Sequence, residues 1–252
     1  MRSILLIPRF LFIALVFVGA LFGYVVRRVF AGRLSTLERE RLRGDVLAGT
    51  LERLGATFVK FGQILGSRPD LLGPGYIEAL ARLQDDVPSM PFETVEGVLR
   101  TELTDGERAR LVEVEPAPIA AASVAQVHEA RLDSGERVAL KVQRPEARAQ
   151  IERDLAILGV GARMLDVIPS FHLLALPGAV ERFGDALANQ LDFRLEAANN
   201  RRLGENFAGV KGVRVPDLYE ELCTERLLVM EFIDGTKATH PERVKERKAR
   251  RR

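Results

Sequence analysis

The N-terminal segment is apolar and contains a run of seventeen uncharged residues, Phe10–Val26, whereas the rest of the chain is highly charged. As a helix the run would be about 25 Å long at about 1.5 Å per residue, close to the thickness of the hydrocarbon core of a bilayer. Two arginines precede the run and six follow it before residue 44. The positive-inside rule then predicts a single-pass membrane anchor over residues 1–33, with the soluble part in the cytoplasm.

Two other interpretations of the run stay open. A cleaved signal peptide could end at Val18-Gly19-Ala20, although the run exceeds the usual apolar region of about 7–15 residues and an arginine cluster follows it. A buried core helix is disfavoured because the run has no polar face to turn toward water. Either interpretation would remove the membrane anchor.

The remaining composition is that of a globular protein, with 47% apolar and 29% charged residues, which excludes a disordered or fibrous chain. The lone Cys223 can form neither an internal disulfide nor a four-thiolate zinc site. Residues 241–252 hold seven Lys/Arg against two Glu, with no interleaved aromatic residue. We interpret this run as a solvated tail, with a contact to lipid headgroups as the alternative, and expect no nucleic-acid partner.

Apolar spacing divides the soluble part into helices and strands. Helical spacing covers residues 34–66, Gly75–Gln84, Phe92–Leu103, Pro145–Asp166 and Ala179–Phe207. Strand patterns cover Ser123–Leu132, Arg137–Gln143, Val213–Pro216 and Arg226–Phe232. The first two strand patterns flank a turn in which Gly135 would supply a positive φ, so they predict a β-hairpin.

A loop of small residues enters this hairpin. The loop and the start of the strand consist of Ile119, Ala120, Ala121, Ala122, Ser123, Val124, Ala125, Gln126 and Val127. Small side chains let the backbone approach a ligand closely, and successive N–H groups can cradle phosphate. Tight packing of the strand on a helix would explain the same pattern.

Lys141 stands alone among apolar residues in the second strand of the hairpin. A lysine in such a strand must find an anion or reach solvent. Protein kinases use the same order of loop, strand, turn and strand with lysine, and their lysine pairs with the α- and β-phosphates of ATP. A kinase also needs a helical glutamate to hold that lysine, and Glu196 is the candidate. A lysine that only reaches solvent is the alternative.

Several segments, in order, are similar to the UbiB/AarF family of atypical protein-kinase-like proteins, associated with isoprenoid quinone (ubiquinone) biosynthesis. They are Lys60-Phe61-Gly62-Gln63, which matches the K-x-G-Q hallmark, followed by LQDDVPS, PIAAASVAQVH, VALKVQRP and LDFRLEAAN. The resemblance runs from about Gly55 to Gly235. It implies an α+β fold: a protein-kinase-like N-lobe over 111–235, preceded by a helical extension over 34–110 and the anchor, and followed by a basic disordered tail over 236–252.

The resemblance also implies roles for single residues. The Ala-rich loop would cover the phosphates of ATP or ADP, Lys141 would pair with them, and Glu196 would hold Lys141. The backbone of Glu231 and Ile233, in the last strand and hinge, would hydrogen-bond adenine. These residues are the predicted nucleotide-binding set.

A second group of residues would restrain phosphotransfer. In the family, Lys60 and Gln63 belong to an extension that folds over the nucleotide pocket, where the glutamate of an E-x-D pattern faces the lysine. This chain has Gln190 in place of that glutamate and keeps Asp192. The Lys60 contact would therefore lose one formal charge.

The family continues into a C-lobe with an H-x-D-x-H-P-x-N catalytic loop and a D-F-G metal motif, neither of which occurs in this chain. The ligands for the expected Mg²⁺ are thus missing, and we assign no catalytic residue and no metal ligand. We expect an interrupted or frameshifted family member whose C-lobe is largely missing, with apolar surface exposed around Leu228–Ile233.

The predicted function is that of an ATP-binding, UbiB-type kinase or ATPase whose activity would depend on the missing lobe. Its partners would be a nucleotide, a membrane lipid or prenyl-quinone precursor, and quinone-biosynthesis proteins. Two alternatives are a non-catalytic, membrane-anchored nucleotide- or lipid-binding module and a degenerate gene product.

Overall fold

The computed structural model describes residues 6–83, 88–168 and 175–235. In chain order the elements are α1 (Leu6–Phe30), α2 (Thr36–Leu54), α3 (Ala56–Gly66), α4 (Pro74–Leu80), α5 (Phe92–Glu102), α6 (Asp105–Ala109), β1 (Leu111–Val114), β2 (Ala120–Ala121), β3 (Ala125–Leu132), β4 (Arg137–Gln143), α7 (Ala147–Asp166), α8 (Leu176–Gln190), α9 (Phe193–Asn206), a 3-10 turn (Glu220–Leu222) and β5 (Leu227–Glu231). Helices and an antiparallel sheet are mixed, as the α+β prediction requires. The predicted basic tail over 236–252 lies outside the described residues.

The antiparallel sheet has the strand order β1-β3-β4-β5, and β2 pairs with β3 beside this path. The β3–β4 hairpin is confirmed, and Gly135 in its turn takes a φ of 89°. Its register places Val127 opposite Lys141, and Lys141 is opposite Leu228 on β5. Because directly opposed residues of an antiparallel sheet lie on the same face, these three side chains share one face.

The two faces of the sheet pack against different helices. On one face the strands bury Leu132, Val138, Leu140, Val142, Leu227 and Val229 against Val95, Val98 and Leu99 of α5. On the other face Ala125 and Leu228 pack with Phe193 and Ala197 of α9. Lys141 belongs to this second face, so the sheet and α9 together position it.

Two stretches expected as single helices are each divided. Gly55 separates α2 from α3 with a φ of 93°, a conformation that favours glycine. Asp192 separates α8 from α9, where its carboxylate caps α9 by accepting from the N–H of Arg194 at 3.0 Å. Apolar spacing continues across both breaks, and this is why the pattern did not reveal them.

Capping boxes fix the starts of two helices. At α2 the Ser35 hydroxyl accepts from the N–H of Glu38, and the Glu38 carboxylate accepts from the N–H of Ser35. Thr104 and Glu107 repeat this arrangement at α6, a five-residue helix that the sequence analysis did not predict. The spacing of a hydroxyl and a glutamate three residues later was the available signal.

Backbone hydrogen bonds join the segment before β5 to that strand. Tyr219 N–H donates to the carbonyl of Val229 at 3.0 Å, and Glu231 N–H donates to that of Asp217 at 2.8 Å. The predicted strand at Val213–Pro216 is wrong, because Pro216 has no N–H to donate to a ladder. The hydrogen bonds to β5 begin at Asp217, one residue after Pro216.

The apolar surface expected around Leu228–Ile233 is mostly covered. Leu228 and Val229 are buried, one on each face of the sheet, and Met230 is half-buried. Ile233 is exposed. The expectation was wrong for the strand because α5 and α9 cover both of its faces.

Helix α1 packs along α2 in the opposite direction. Near its start, Arg9 donates to both carboxylate oxygens of Asp154 on α7, at 2.7 and 3.0 Å, and to the carbonyl of Leu54 at 2.6 Å. Near its end, the hydroxyl of Tyr24 accepts from Arg43 Nε at 3.2 Å. By length and composition α1 could cross a membrane, whereas its packing ties both ends to the body.

Candidate functional site

Lys141 and Glu196, predicted to pair, form an ion pair between β4 and the first turn of α9. Lys141 Nζ is 2.7 and 2.6 Å from the two carboxylate oxygens of Glu196, and it lies 4.8 Å from the centre of the Phe193 ring. Phe193 is fully buried at the start of α9, so its ring keeps a fixed position beside the Lys141 ammonium. The side chains of Lys141 and Glu196 are 23% and 43% exposed, and the pair is thus open to an incoming anion.

The Ala-rich loop forms a tight turn between β2 and β3. The N–H of Ala122 donates to the carbonyl of Ala125 at 2.8 Å, which closes the turn. Val127 pairs with Ala120 on one side and with Lys141 on the other, so β2, β3 and β4 align in one row. At about 4.8 Å between neighbouring strands, the row places the loop about 10 Å from Lys141, within the span of a polyphosphate.

Arg144 holds the loop in place. Its Nε donates to the carbonyl of Ala122 at 3.0 Å, a terminal nitrogen donates to the carbonyl of Pro88 at 2.7 Å, and its backbone N–H donates to that of Val124 at 2.9 Å. Burial lowers the pKa of this guanidinium, and the charge of Glu146 partly opposes the shift. No role was predicted for Arg144 from the sequence, although a charged residue directly after an apolar strand was a signal.

Gln126 and His128 form a buried polar network on the opposite face of β3. The Gln126 side-chain carbonyl accepts from Met90 N–H at 2.7 Å, and its amide nitrogen lies 2.8 Å from His128 Nε2. His128 Nδ1 lies 2.7 Å from the carbonyl of Glu115. Since a carbonyl only accepts, the proton of His128 is assigned to Nδ1, and Nε2 accepts from Gln126.

This network limits what Gln126 can do in the predicted nucleotide-binding set. Its side chain is fully buried and pairs across the sheet with Val142, on the face opposite to Lys141. Only its backbone can therefore take part in binding on the Lys141 face. The side chain instead ties β3 to the segment that leads into α5.

The K-x-G-Q residues lie on α3. Gln63 Nε2 donates to the carbonyl of Leu83 at 3.3 Å, and Lys60 is half-buried one turn earlier. Gly62 faces Leu51 and Leu83: a Cβ at Gly62 would lie 2.7 Å from Leu51 Cδ1 and still closer to Leu83 Cδ1. The glycine of this motif therefore permits close packing between α3, α2 and the segment that follows α4.

Gly62→Ala is expected to lower the free energy of unfolding by about 1–3 kcal/mol, because Leu51 and Leu83 must move within a packed core. Gly49→Ala in α2 is the matched control, since a Cβ there meets no atom within 4 Å. Alanine has the higher helix propensity, so this control should stabilise by up to about 1 kcal/mol. Denaturant unfolding followed by circular dichroism measures both. A stabilised Gly62→Ala would contradict the packing argument.

An apolar cluster connects α3 to the Ala-rich loop. The ring of Phe61 meets that of Phe183 on α8 edge-to-face, with centres 5.1 Å apart. Val124 of the loop packs on the same cluster, as do Leu187 and Leu191. Helix α3 and the Ala-rich loop thus pack against the same apolar cluster.

The other two predicted regulatory residues lie at the junction of α8 and α9. Gln190 ends α8 and is exposed. Asp192 accepts from the side chain of Arg194 at 2.9 and 2.8 Å, and these hydrogen bonds lower the pKa of its carboxyl. The side-chain amide of Gln143 donates to the carbonyl of Leu191 at 2.7 Å, which fixes this junction to β4.

The predicted hinge residues are Glu231, which ends β5, and Ile233, which follows it. The backbone N–H of Glu231 already donates to Asp217, and its side chain forms an ion pair with Arg214. Ile233 lies two residues further and is exposed. The prediction of adenine binding can therefore apply to the carbonyl of Glu231 and the backbone of Ile233.

Carboxylates near the site do not form a metal centre. Among residues 6–83, 88–168 and 175–235, no group of three His, Cys, Asp or Glu side chains is placed to hold a metal ion. Glu196 is bound to Lys141 through both of its oxygens. The described donor set does not fit Mg²⁺.

Comparisons with known proteins agree on one family. A sequence model of the ABC1 atypical kinase-like domain matches residues 82–252. The chain is 39% identical over 209 residues to Protein ACTIVITY OF BC1 COMPLEX KINASE 1, chloroplastic, of Arabidopsis thaliana, covering 81% of this chain and 30% of that protein. It is 34% identical over 204 residues to a probable protein kinase UbiB of Shewanella halifaxensis, covering 80% and 37%.

A solved structure also matches. It is the erythromycin complex of Rv3197 from Mycobacterium tuberculosis, with a TM-score of 0.52 and 29% sequence identity, covering 77% of this chain and 49% of that one. The chain spans about a third of the length of the two curated relatives named above.

Proposed function

The chain belongs to the ABC1 atypical kinase-like family, and from this membership we propose that it binds the phosphates of ATP or ADP as part of a UbiB-type atypical kinase. The family resemblance stated from the sequence is confirmed, and the fold is kinase-like. The observation that carries the proposal is the ion pair of Lys141 with Glu196, beside the Ala-rich loop. In protein kinases such a pair holds a lysine against the phosphates.

The charges of the site support phosphate binding. A lysine ammonium has three N–H donors, and Glu196 can accept from at most two of them at its two oxygens. The third is left for a phosphate oxygen approaching from the solvent side. Arg144 supports this arrangement by fixing the loop through the Ala122 carbonyl, so that loop N–H groups are already oriented when phosphate arrives.

The proposal divides the chain by role. Residues 111–235 would be the kinase-like N-lobe, and residues 34–110 the helical extension whose Lys60 and Gln63 restrain phosphotransfer. The described residues offer phosphate binding without a metal site, so we assign no catalytic residue among them. We extend the proposal to isoprenoid quinone biosynthesis, with a prenyl-quinone precursor or lipid as partner, because relatives carry the name UbiB.

The proposal also places the protein at a membrane. Helix α1 is long and apolar enough to reach across a bilayer, and most of its surface is not covered by the protein. The single-pass, cytoplasmic orientation remains a prediction of the sequence.

A nucleotide titration with the detergent-solubilised full chain tests the proposal. We expect saturable ADP or ATP binding with a dissociation constant between about 1 μM and 1 mM, the usual range of substrate concentrations. Glu196→Gln should weaken binding about fivefold, since a partly exposed ion pair is worth about 1 kcal/mol. Glu205→Gln, exposed on the same helix, is the control and should change nothing. A folded chain without saturable binding would refute the proposal and favour the non-catalytic, lipid-binding module.

A further inference from the structure

Helix α1 has two faces with different surroundings. Arg9, Ile13 and Tyr24 lie on one face, which contacts α2 and α7 along most of the helix. Leu15, Phe22 and Val29 follow at intervals of seven and lie on the opposite face, where each is 71% exposed. One side of α1 is thus part of the folded body, and the other is an uncovered apolar stripe.

The packing of α1 on α2 restricts how α1 can meet a membrane. Contacts run from Arg9 with Leu54 at one end to Tyr24 with Arg43 at the other, about 22 Å along the helix. Eight of the nineteen residues of α2 are charged. A helix of this kind cannot enter the hydrocarbon, because each charge at the bilayer centre costs several kcal/mol. Packed as it is, α1 cannot cross the bilayer without taking α2 along.

We propose that α1 lies in the plane of the membrane interface, with the stripe of Leu15, Phe22 and Val29 inserted among lipid chains and α2 on the aqueous side. The inference depends on neither nucleotide binding nor the family. It commits to an anionic lipid surface as the partner, because the exposed Arg33 follows the stripe just beyond the end of α1, where it can meet lipid headgroups. Helices of this type bind by burying one apolar face about 5–10 Å into the interface.

Arg9 is the residue that distinguishes the interfacial arrangement from a span. In a span it would leave the carboxylate of Asp154, which is fully buried on α7. In the interface it keeps this ion pair, and its guanidinium also stays near the rings of Phe12 and Phe58. The buried ion pair therefore favours the position in which α1 stays beside the body.

Cysteine labelling tests the orientation. In the full chain with Cys223→Ser, Ser3→Cys reports the segment before α1, and Lys211→Cys reports the exposed body. Intact spheroplasts and inverted membrane vesicles are each treated with a membrane-impermeant maleimide. We expect both cysteines to react in the same preparation. Reaction of Ser3→Cys from the opposite side would establish a span, and loss of its label by cleavage would establish a signal peptide; either result overturns the proposal.

Fluorescence quenching tests the partner. The chain has no tryptophan, so Phe22→Trp provides a single probe on the stripe, and Phe207→Trp provides a matched probe at the exposed end of α9. In vesicles of anionic and brominated phospholipids we expect Phe22→Trp to lose most of its fluorescence and Phe207→Trp to keep it. An unquenched Phe22→Trp would overturn the proposal, and a cross-linked dimer in that sample would assign the stripe to a second copy of the chain.

Discussion

Lys141→Ala should abolish nucleotide binding by the full chain. The variant removes the ammonium that Glu196 and the Phe193 ring hold in place, and it leaves a carboxylate facing the incoming phosphates. The loss of attraction and the remaining repulsion act together, so we expect the dissociation constant to rise by at least about 100-fold, as when a preorganised electrostatic donor is lost. Isothermal titration with ADP measures it.

Two controls separate binding from folding. Lys211→Ala removes an exposed lysine outside the predicted nucleotide-binding set and should leave ADP binding unchanged. Lys141→Ala itself should keep the circular dichroism spectrum of the parent chain, because Glu196 is exposed enough to be solvated alone. Unchanged ADP affinity in a folded Lys141→Ala chain would show that this lysine does not contact phosphate.

Arg9→Ala should lower the free energy of unfolding by about 3–5 kcal/mol, the usual effect of removing one partner of a buried ion pair. The substitution leaves the Asp154 carboxylate buried without the guanidinium that donates to both of its oxygens. The carbonyl of Leu54 loses a donor as well. Denaturant unfolding in detergent solution measures the change.

Arg27→Ala on the same helix is the control for Arg9→Ala. Arg27 is exposed, and its loss should change stability by less than about 0.5 kcal/mol. The double variant Arg9→Met with Asp154→Leu tests the cause, since replacing a buried ion pair by apolar residues is often neutral. Recovery of most of the lost stability would assign the effect to the unpaired carboxylate. Equal destabilisation by Arg9→Ala and Arg27→Ala would show that α1 is not attached to α7.

The parts of the fold that sequence reasoning could identify are those encoded in neighbouring residues. The β-hairpin follows from alternating apolar residues around a turn glycine, and the pairing of Lys141 with Glu196 follows from the order of loop, strand and helix in kinases. Lys141 is flanked in the sequence by apolar residues, and a lysine in such a strand must find an anion or reach solvent.

Other parts depend on residues that are distant in the chain. Arg9 and Asp154 are 145 residues apart, and Arg144 reaches Pro88 across 56 residues. No local pattern links such pairs, because each partner taken alone looks like an ordinary charged or loop residue. The break between α2 and α3 at Gly55 was also missed, since apolar spacing continues through it and the break is marked by the backbone conformation of Gly55.

The covered edge of β5 affects how this chain can self-associate. An open edge strand presents unpaired N–H and C=O groups to strands of other molecules, a common start of aggregation. Here the segment at residues 217–219 bonds to that edge through Tyr219 N–H and the carbonyl of Asp217, so foreign strands find these positions already taken. When lipid or detergent is withdrawn, cross-β growth from the β5 edge is therefore disfavoured.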